Sequence, residues 1–222
     1  MKIVNIILSL VLLISLPISV ICLTYNLALR LPDLYQYEFK ASGVLEDMNL
    51  EMNEDELGMF FSDFMMKKTE EFQIEYKFGE NTDPLFTGEE QEAMEKFRWN
   101  ADILLVIGGI SFIFAFAAYL LLYKQNLKML IRRTFTKAAV AYLVLAGILA
   151  ALMLINPMTT LQHDMIFNYE VKEFQALPKL ITSSLLFRFE AATLFVSFVA
   201  MILLWYFTWK ITKPRRIFGN LR

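Results

Sequence analysis

Four stretches without a charged residue constrain this chain more than any other feature: Ile3–Leu23, Ile103–Tyr123, Ala138–Ile155 and Ala191–Trp209. Each is 18–21 residues long, and at about 1.5 Å of rise per residue a helix of that length crosses a hydrocarbon core about 30 Å thick. Backbone polar groups in lipid need internal partners, so such stretches cross as helices. The fold class that follows is an all-α integral membrane protein with four transmembrane helices. Composition agrees: 57% of the 222 residues are hydrophobic and 20% charged, against about 25% charged in a typical soluble domain.

The pattern divides the chain into a first transmembrane helix over 1–24, an acidic extracytoplasmic segment over 25–100, a second span over 101–123, and a basic cytoplasmic loop over 124–137. A third span over 138–155, an outer interfacial segment over 156–184, a fourth span over 185–209 and a basic tail over 210–222 complete it. The first span reads as a retained anchor with a kink at Pro17. Its basic flank is a single Lys2, it lacks a small-residue cleavage pattern, and Ile21 before Cys22 rules out a lipobox.

Charge sets the expected orientation. Lys124, Lys128, Arg132, Arg133 and Lys137 fill one loop, and Lys210, Lys213, Arg215, Arg216 and Arg222 the tail, with no acid in either. The positive-inside rule places both in the cytoplasm, and with them the N-terminus. The segment from Tyr25 to Asn100 is then outside, and it carries 18 acidic residues against seven basic ones. Trp99, Tyr123, Trp205 and Trp209 stand at expected span ends, where interfacial aromatics belong. A net charge of −2 gives no electrostatic case for nucleic-acid binding. One cysteine and one histidine exclude an internal disulfide and a His/Cys zinc site.

The first outer segment reads as mostly helical. From Val44 to Tyr76 the residues Leu45, Met48, Leu57, Phe60, Phe61, Phe64, Met65 and Phe72 recur at three- and four-residue spacing among acids. Asn81–Thr87 is a turn-rich break, and Thr87-Gly88-Glu89-Glu90 has the form of a capping box, so a helix is expected to start near Gly88 and run on into the second span. In the second outer segment, Asn156-Pro157 ends the third span and Leu161-Gln162-His163-Asp164-Met165-Ile166-Phe167-Asn168-Tyr169-Glu170 mixes apolar with polar groups. Pro178 precedes the last span, whose first turns hold Arg188 and Glu190. Residues two apart on a helix diverge, so these two are expected to seek different partners.

His163 can exchange a proton near neutral pH, which makes it a candidate acid–base group as well as a plain surface residue. The chain has no nucleophile elbow, paired-histidine motif or phosphate loop. Chemistry at His163 would therefore use a nucleophile from the substrate.

Phe86, Thr87, Glu90, Met94 and Glu95 form a Phe-Thr-x-x-Glu-x-x-x-Met-Glu stretch, and His163 and Phe167 form His-x-x-x-Phe. With Tyr35-Gln36-Tyr37-Glu38-Phe39, Leu177-Pro178 and the order of spans, the chain resembles the lipoprotein intramolecular transacylase family of Gram-positive bacteria over nearly its whole length. Two positions depart from that pattern: Ala93 stands where the family has histidine, and Lys96 where it has aspartate. The resemblance implies an enzyme of the bacterial cytoplasmic membrane that moves an acyl chain from the diacylglyceryl group to the N-terminal cysteine amine of a lipoprotein, leaving the lyso form. It implies His163 as the catalytic base, a diacylated lipoprotein and membrane lipid as partners, and neither cofactor nor metal. Tyr25, Asn26, Tyr37, Asp164 and Arg188 are polar residues expected at the outer interface, hence candidates for positioning or oxyanion stabilisation. The alternative reading is a non-catalytic membrane protein whose acidic outer segment binds a protein partner. A transporter ranks third, because no ionisable residue falls mid-span.

Overall fold

The computed structural model describes residues 2–213 apart from Asn49, Glu51, Gly79, Glu80, 156–161, Met165 and Glu173. Along the chain run α1 (Lys2–Ala28), α2 (Pro32–Ser42), α3 (Val44–Asp47), α4 (Glu54–Met65), β1 (Glu75–Phe78), β2 (Asn81–Pro84), α5 (Gly88–Lys124), α6 (Lys128–Leu154), α7 (Leu177–Leu180) and α8 (Ser183–Ile211). α1, α5, α6 and α8 are long and apolar enough to cross a membrane, as the four charge-free stretches require. The chain is a multi-pass membrane protein. α1 continues through Pro17. The Asn156-Pro157 break, Leu161, Met165 and the tail cations Arg215, Arg216 and Arg222 lie outside the described residues.

The chain divides into two compact units. One comprises Met1–Leu23, Val106–Leu149 and Leu194–Arg222. Leu12, Leu16, Val20, Ala118, Leu122, Ile131, Phe135 and Tyr142 form its core. Small residues permit close approach: a Cβ on Gly108 would meet Cys22 Cβ at 3.0 Å and Leu23 at 3.1 Å. α5 and α6 are joined by a tight turn in which Asn126 takes φ 58°, the left-handed helix-ending conformation that asparagine tolerates. Arg132 lies 4.2 Å from the Trp209 ring and Lys128 5.4 Å from that of Tyr123, so cations in the first turns of α6 pack on the span-end aromatics. Inside the unit, the Tyr142 hydroxyl and Ser197 Oγ are 2.7 Å apart and buried. Hydrogen bonds between membrane helices average about 0.6 kcal/mol. A thermal-melting cycle of Tyr142→Phe, Ser197→Ala and the double variant is expected to return a coupling of that order.

The other unit comprises Thr24–Leu105 and Ala150–Thr193. Its helices form because apolar residues fall on one face. In α2, Tyr35, Glu38 and Phe39 are buried while Tyr37 is exposed. α4 begins at Asn53, whose side chain accepts from the backbone N–H of Asp55 at 3.1 Å, and Glu54, Asp55 and Glu56 fill its first turn where the helix dipole favours acids. Tyr35, Phe39, Phe60, Phe61, Phe64, Phe72, Phe86 and Phe189 interlock with centroid separations of 4.4–6.3 Å. Each fully buried ring contributes on the order of 1.5–3 kcal/mol. The Tyr35 hydroxyl donates to Leu29 O at 2.8 Å, and burial pushes its phenol well above the ordinary tyrosine range.

α2 and α4 meet at Gly58, where a Cβ would fall 2.4 Å from Gln36 Cγ and 3.0 Å from the Gln36 backbone nitrogen. The backbone cannot yield as a side-chain tip can. Gly58→Ala is expected to lower stability by about 1–3 kcal/mol, measured as a drop in melting temperature of the full chain.

The helical reading of Val44 to Tyr76 needs one correction. Helix ends at Met65 and the chain then turns, Lys67 taking φ 60°. After an irregular stretch that buries Phe72, β1 and β2 pair antiparallel, with Glu75 opposite Pro84 and Phe78 opposite Asn81. The strand was visible in the alternation of Ile74, Tyr76 and Phe78 with Glu75 and Lys77, which suits a pleated ribbon rather than a helix.

Candidate functional site

The capping box forms as its sequence requires. The Thr87 backbone N–H donates to Glu90 Oε2 at 2.7 Å, the Thr87 hydroxyl donates to the same oxygen at 2.9 Å, and the Glu90 backbone N–H reaches Thr87 Oγ1 at 3.4 Å. The other oxygen of this fully buried carboxylate accepts the backbone N–H of Leu177 at 2.7 Å. Pro178 has no N–H, so the first turn of α7 presents few donors, and Glu90 takes the one at its start. Beside it the Gln175 amide donates to Glu89 Oε2 at 3.4 Å. The Tyr169 hydroxyl is buried nearby without a hydrogen-bond partner among the described residues. Burial, then the charges of Glu90 and Glu89, push its phenol upward.

His163 sits in a helical turn spanning Gln162 to Asp164, and its carbonyl accepts the Phe167 backbone N–H at 2.8 Å. That turn explains the His-x-x-x-Phe spacing: it carries the Phe167 ring to 4.5 Å from the imidazole centroid. The imidazole is 39% exposed, and its Nδ1 lies 3.8 Å from Asp164 Oδ1, whose side chain is 72% exposed. This separation is an electrostatic contact rather than a hydrogen bond. One face of the ring is thus supported while part of it stays open to a reactant. Ala93 is buried in the same apolar core as Phe167 and Met94. Lys96 lies at the surface and pairs with Glu92 at 2.7 Å along α5, beside an open groove of about 460 Å³ that Lys67, Trp99 and Asp102 also line.

Arg188 and Tyr37 come together, as members of a cluster whose centre is Glu38. The Arg188 Nε–H donates to Glu38 Oε2, the Thr182 hydroxyl donates to Glu38 Oε1 at 3.2 Å, and the guanidinium lies 4.5 Å from the Tyr37 ring centroid. Glu38 is only 5% exposed and Arg188 is 34% exposed. The guanidinium is therefore anchored on one edge and stacked on one face, and it carries N–H donors beyond the one that Glu38 takes, of the kind that suit a developing oxyanion. Sequence reasoning missed Glu38 although it sits in the quoted Tyr-Gln-Tyr-Glu-Phe stretch; a carboxylate on the apolar stripe of α2 needs a cation, and Arg188 is the one provided.

Asn26 is buried in a different arrangement. Its amide nitrogen donates to Ala101 O, and its amide oxygen accepts from Arg30, which also reaches Asp102 at 2.8 Å and Met65 O at 3.0 Å. Both ends of the amide are engaged internally. Tyr25 packs against the core that contains Phe189. Glu190, in contrast, is 8% exposed, and neither carboxylate oxygen has a hydrogen-bond partner among the described residues. No group of three potential metal ligands occurs among the described residues.

No family model matches the sequence, and no curated protein is significantly similar to it. In structure the chain resembles the membrane integral lipoprotein intramolecular transacylase Lit from Bacillus cereus, with a TM-score of 0.72 over 96% of this chain and 97% of that one at 14% identity. The chain has the fold of Lit. Two Lit variants, in which a histidine is replaced by arginine or by alanine, match with TM-scores of 0.70 and 0.69 at 13% and 14% identity.

Proposed function

We propose that the protein is a lipoprotein-modifying transacylase of the bacterial cytoplasmic membrane, with both termini in the cytoplasm and the segments 25–100 and 156–184 on the outer side. The observation that supports this reading is the fold shared with Lit over 96% of the chain. The substrate is a diacylated lipoprotein held in membrane lipid. His163 takes a proton from the α-amine of the lipoprotein's N-terminal cysteine as the nitrogen attacks an acyl ester carbonyl on the glyceryl group. A carbon–nitrogen bond forms, the ester carbon–oxygen bond breaks, and His163 returns the proton to the departing glyceryl oxygen. Donor and acceptor belong to one molecule, so holding them in register supplies much of the rate, and neither cofactor nor covalent enzyme group is needed.

Each remaining residue has a role set by its contacts. Arg188, fixed by Glu38 and Tyr37, faces the oxyanion of the tetrahedral intermediate. Asp164, with its Oδ1 3.8 Å from His163 Nδ1, orients the ring through an electrostatic contact. Tyr25 packs against the core that holds Phe189 and positions that end of α1, and Asn26 acts through Arg30 by fixing the same end. The His163 base acts without a second histidine at Ala93.

Mass spectrometry of lipoprotein N-termini from cells with and without the gene tests the proposal. Lyso-form lipoproteins are expected only where the gene is present. Identical acylation in the two strains would overturn it.

A further inference from the structure

Glu190 stands apart from every other carboxylate described above. Asp102 holds Arg30 and Lys67, Asp63 holds Lys68, Glu92 holds Lys96, and Glu38 holds Arg188. Glu90 accepts from Thr87 and Leu177. Glu190 is 8% exposed, and both of its oxygens are buried without a partner among the described residues. Arg188 on the same helix does not serve it, because residues two apart diverge and this guanidinium is committed to Glu38. A carboxylate left in that condition is costly unless a cation or a donor arrives from outside.

Its position narrows what can arrive. Glu190 lies seven residues into α8 from Ser183, about 10 Å along the helix axis, and its neighbours Phe189, Ala192 and Tyr25 belong to an apolar core. A free metal ion or a soluble amine would have to shed its water to enter. An ammonium attached to acyl chains is already held at that depth by its own tails. From the unpartnered, buried carboxylate and its place in α8, we infer that Glu190 is a binding site for a lipid-anchored primary ammonium. Resting on the function proposed above, the ammonium is the α-amino group of the diacylated lipoprotein's N-terminal cysteine. Glu190 draws that group in as a cation; one ammonium proton passes to water to free the nitrogen lone pair, and His163 takes a second as the carbon–nitrogen bond forms and returns it to the glyceryl oxygen. Tyr25 packs against that same core.

The test uses the full chain in phosphatidylcholine nanodiscs and a synthetic diacylglyceryl-cysteine peptide. Binding is compared for the free α-amine, for its N-acetylated form, and for phosphatidylethanolamine as competitor. Wild-type protein is expected to bind the free amine roughly tenfold more tightly than the acetylated peptide, the worth of one charge-assisted contact, and Glu190→Gln is expected to abolish that preference while still binding the acetylated form. The variant should melt no lower than wild type, since it removes an uncompensated group. Equal binding of the two peptides by wild type, or an undiminished preference in Glu190→Gln, overturns the inference and leaves the transacylase reading standing. Binding of neither peptide overturns the lipoprotein reading, and the inference with it. If phosphatidylethanolamine displaces the free-amine peptide from wild type but not from Glu190→Gln, the site takes lipid-anchored ammonium groups in general. A competitor without effect limits it to the lipoprotein amine.

Discussion

Replacing His163 with alanine is expected to reduce transacylation by about 10²–10⁴-fold, the range for loss of a positioned general base. The imidazole is 39% exposed, and its recorded contacts are the Phe167 ring and the Asp164 carboxylate, so removing it leaves the buried core intact and the melting temperature close to wild type. Activity should therefore fall without a matching fall in stability, as read by lyso-lipoprotein mass spectrometry beside a thermal melt. Phe167→Ala is the informative companion. It removes the ring that supports the imidazole and is expected to lower activity by a smaller factor while also costing stability. Full activity in His163→Ala would place the proton transfer elsewhere.

The largest stability effect should come from Arg188→Ala. The substitution leaves the Glu38 carboxylate, 5% exposed, with the Thr182 hydroxyl as its one remaining partner among the described residues. Removing one member of a buried ion pair costs about 3–5 kcal/mol. The 34% exposure of the guanidinium places the expectation near the lower end, at about 3 kcal/mol. Pairing the change with Glu38→Gln separates the mechanisms: if the loss comes from stranding a charge, the double variant recovers part of it, whereas additive losses would show that the two side chains are not coupled. Arg188→Ala should also impair catalysis beyond its stability cost if the guanidinium faces the oxyanion.

The long-range architecture was legible because the bilayer imposes a simple filter: a run of 18 or more apolar residues has few alternatives. The Thr87–Glu90 capping box was legible for a similar reason, being a local motif with a fixed spacing. What the sequence could not display was pairing across distance. Nothing local to Glu38 says that its partner is Arg188, 150 positions away, and nothing local to Glu90 says that it also receives the Leu177 N–H. Asn26 shows the opposite error: a polar residue at a span end looks available, yet its amide is used up by Ala101 and Arg30. The β1–β2 hairpin was overlooked because Phe72 happens to continue the three- and four-residue spacing of α4 after the helix has ended.

The Glu90 carboxylate also has a consequence for how the protein is made. It joins residues 87 positions apart, and the unit that holds it is assembled from Thr24–Leu105 and Ala150–Thr193. During synthesis the first of these segments emerges long before the second. Until Leu177 has been translated, one oxygen of Glu90 lacks the N–H that it accepts, and the aromatic cluster lacks Phe189. The early segment must wait in an incomplete state with apolar rings uncovered, which is when a nascent chain is open to proteases and chaperones. Ribosome-stalled chains ending before Leu177 are expected to be cleaved readily within 54–86, and chains extended past Phe189 to resist. The last quarter of the sequence thereby acts as a checkpoint on the first half.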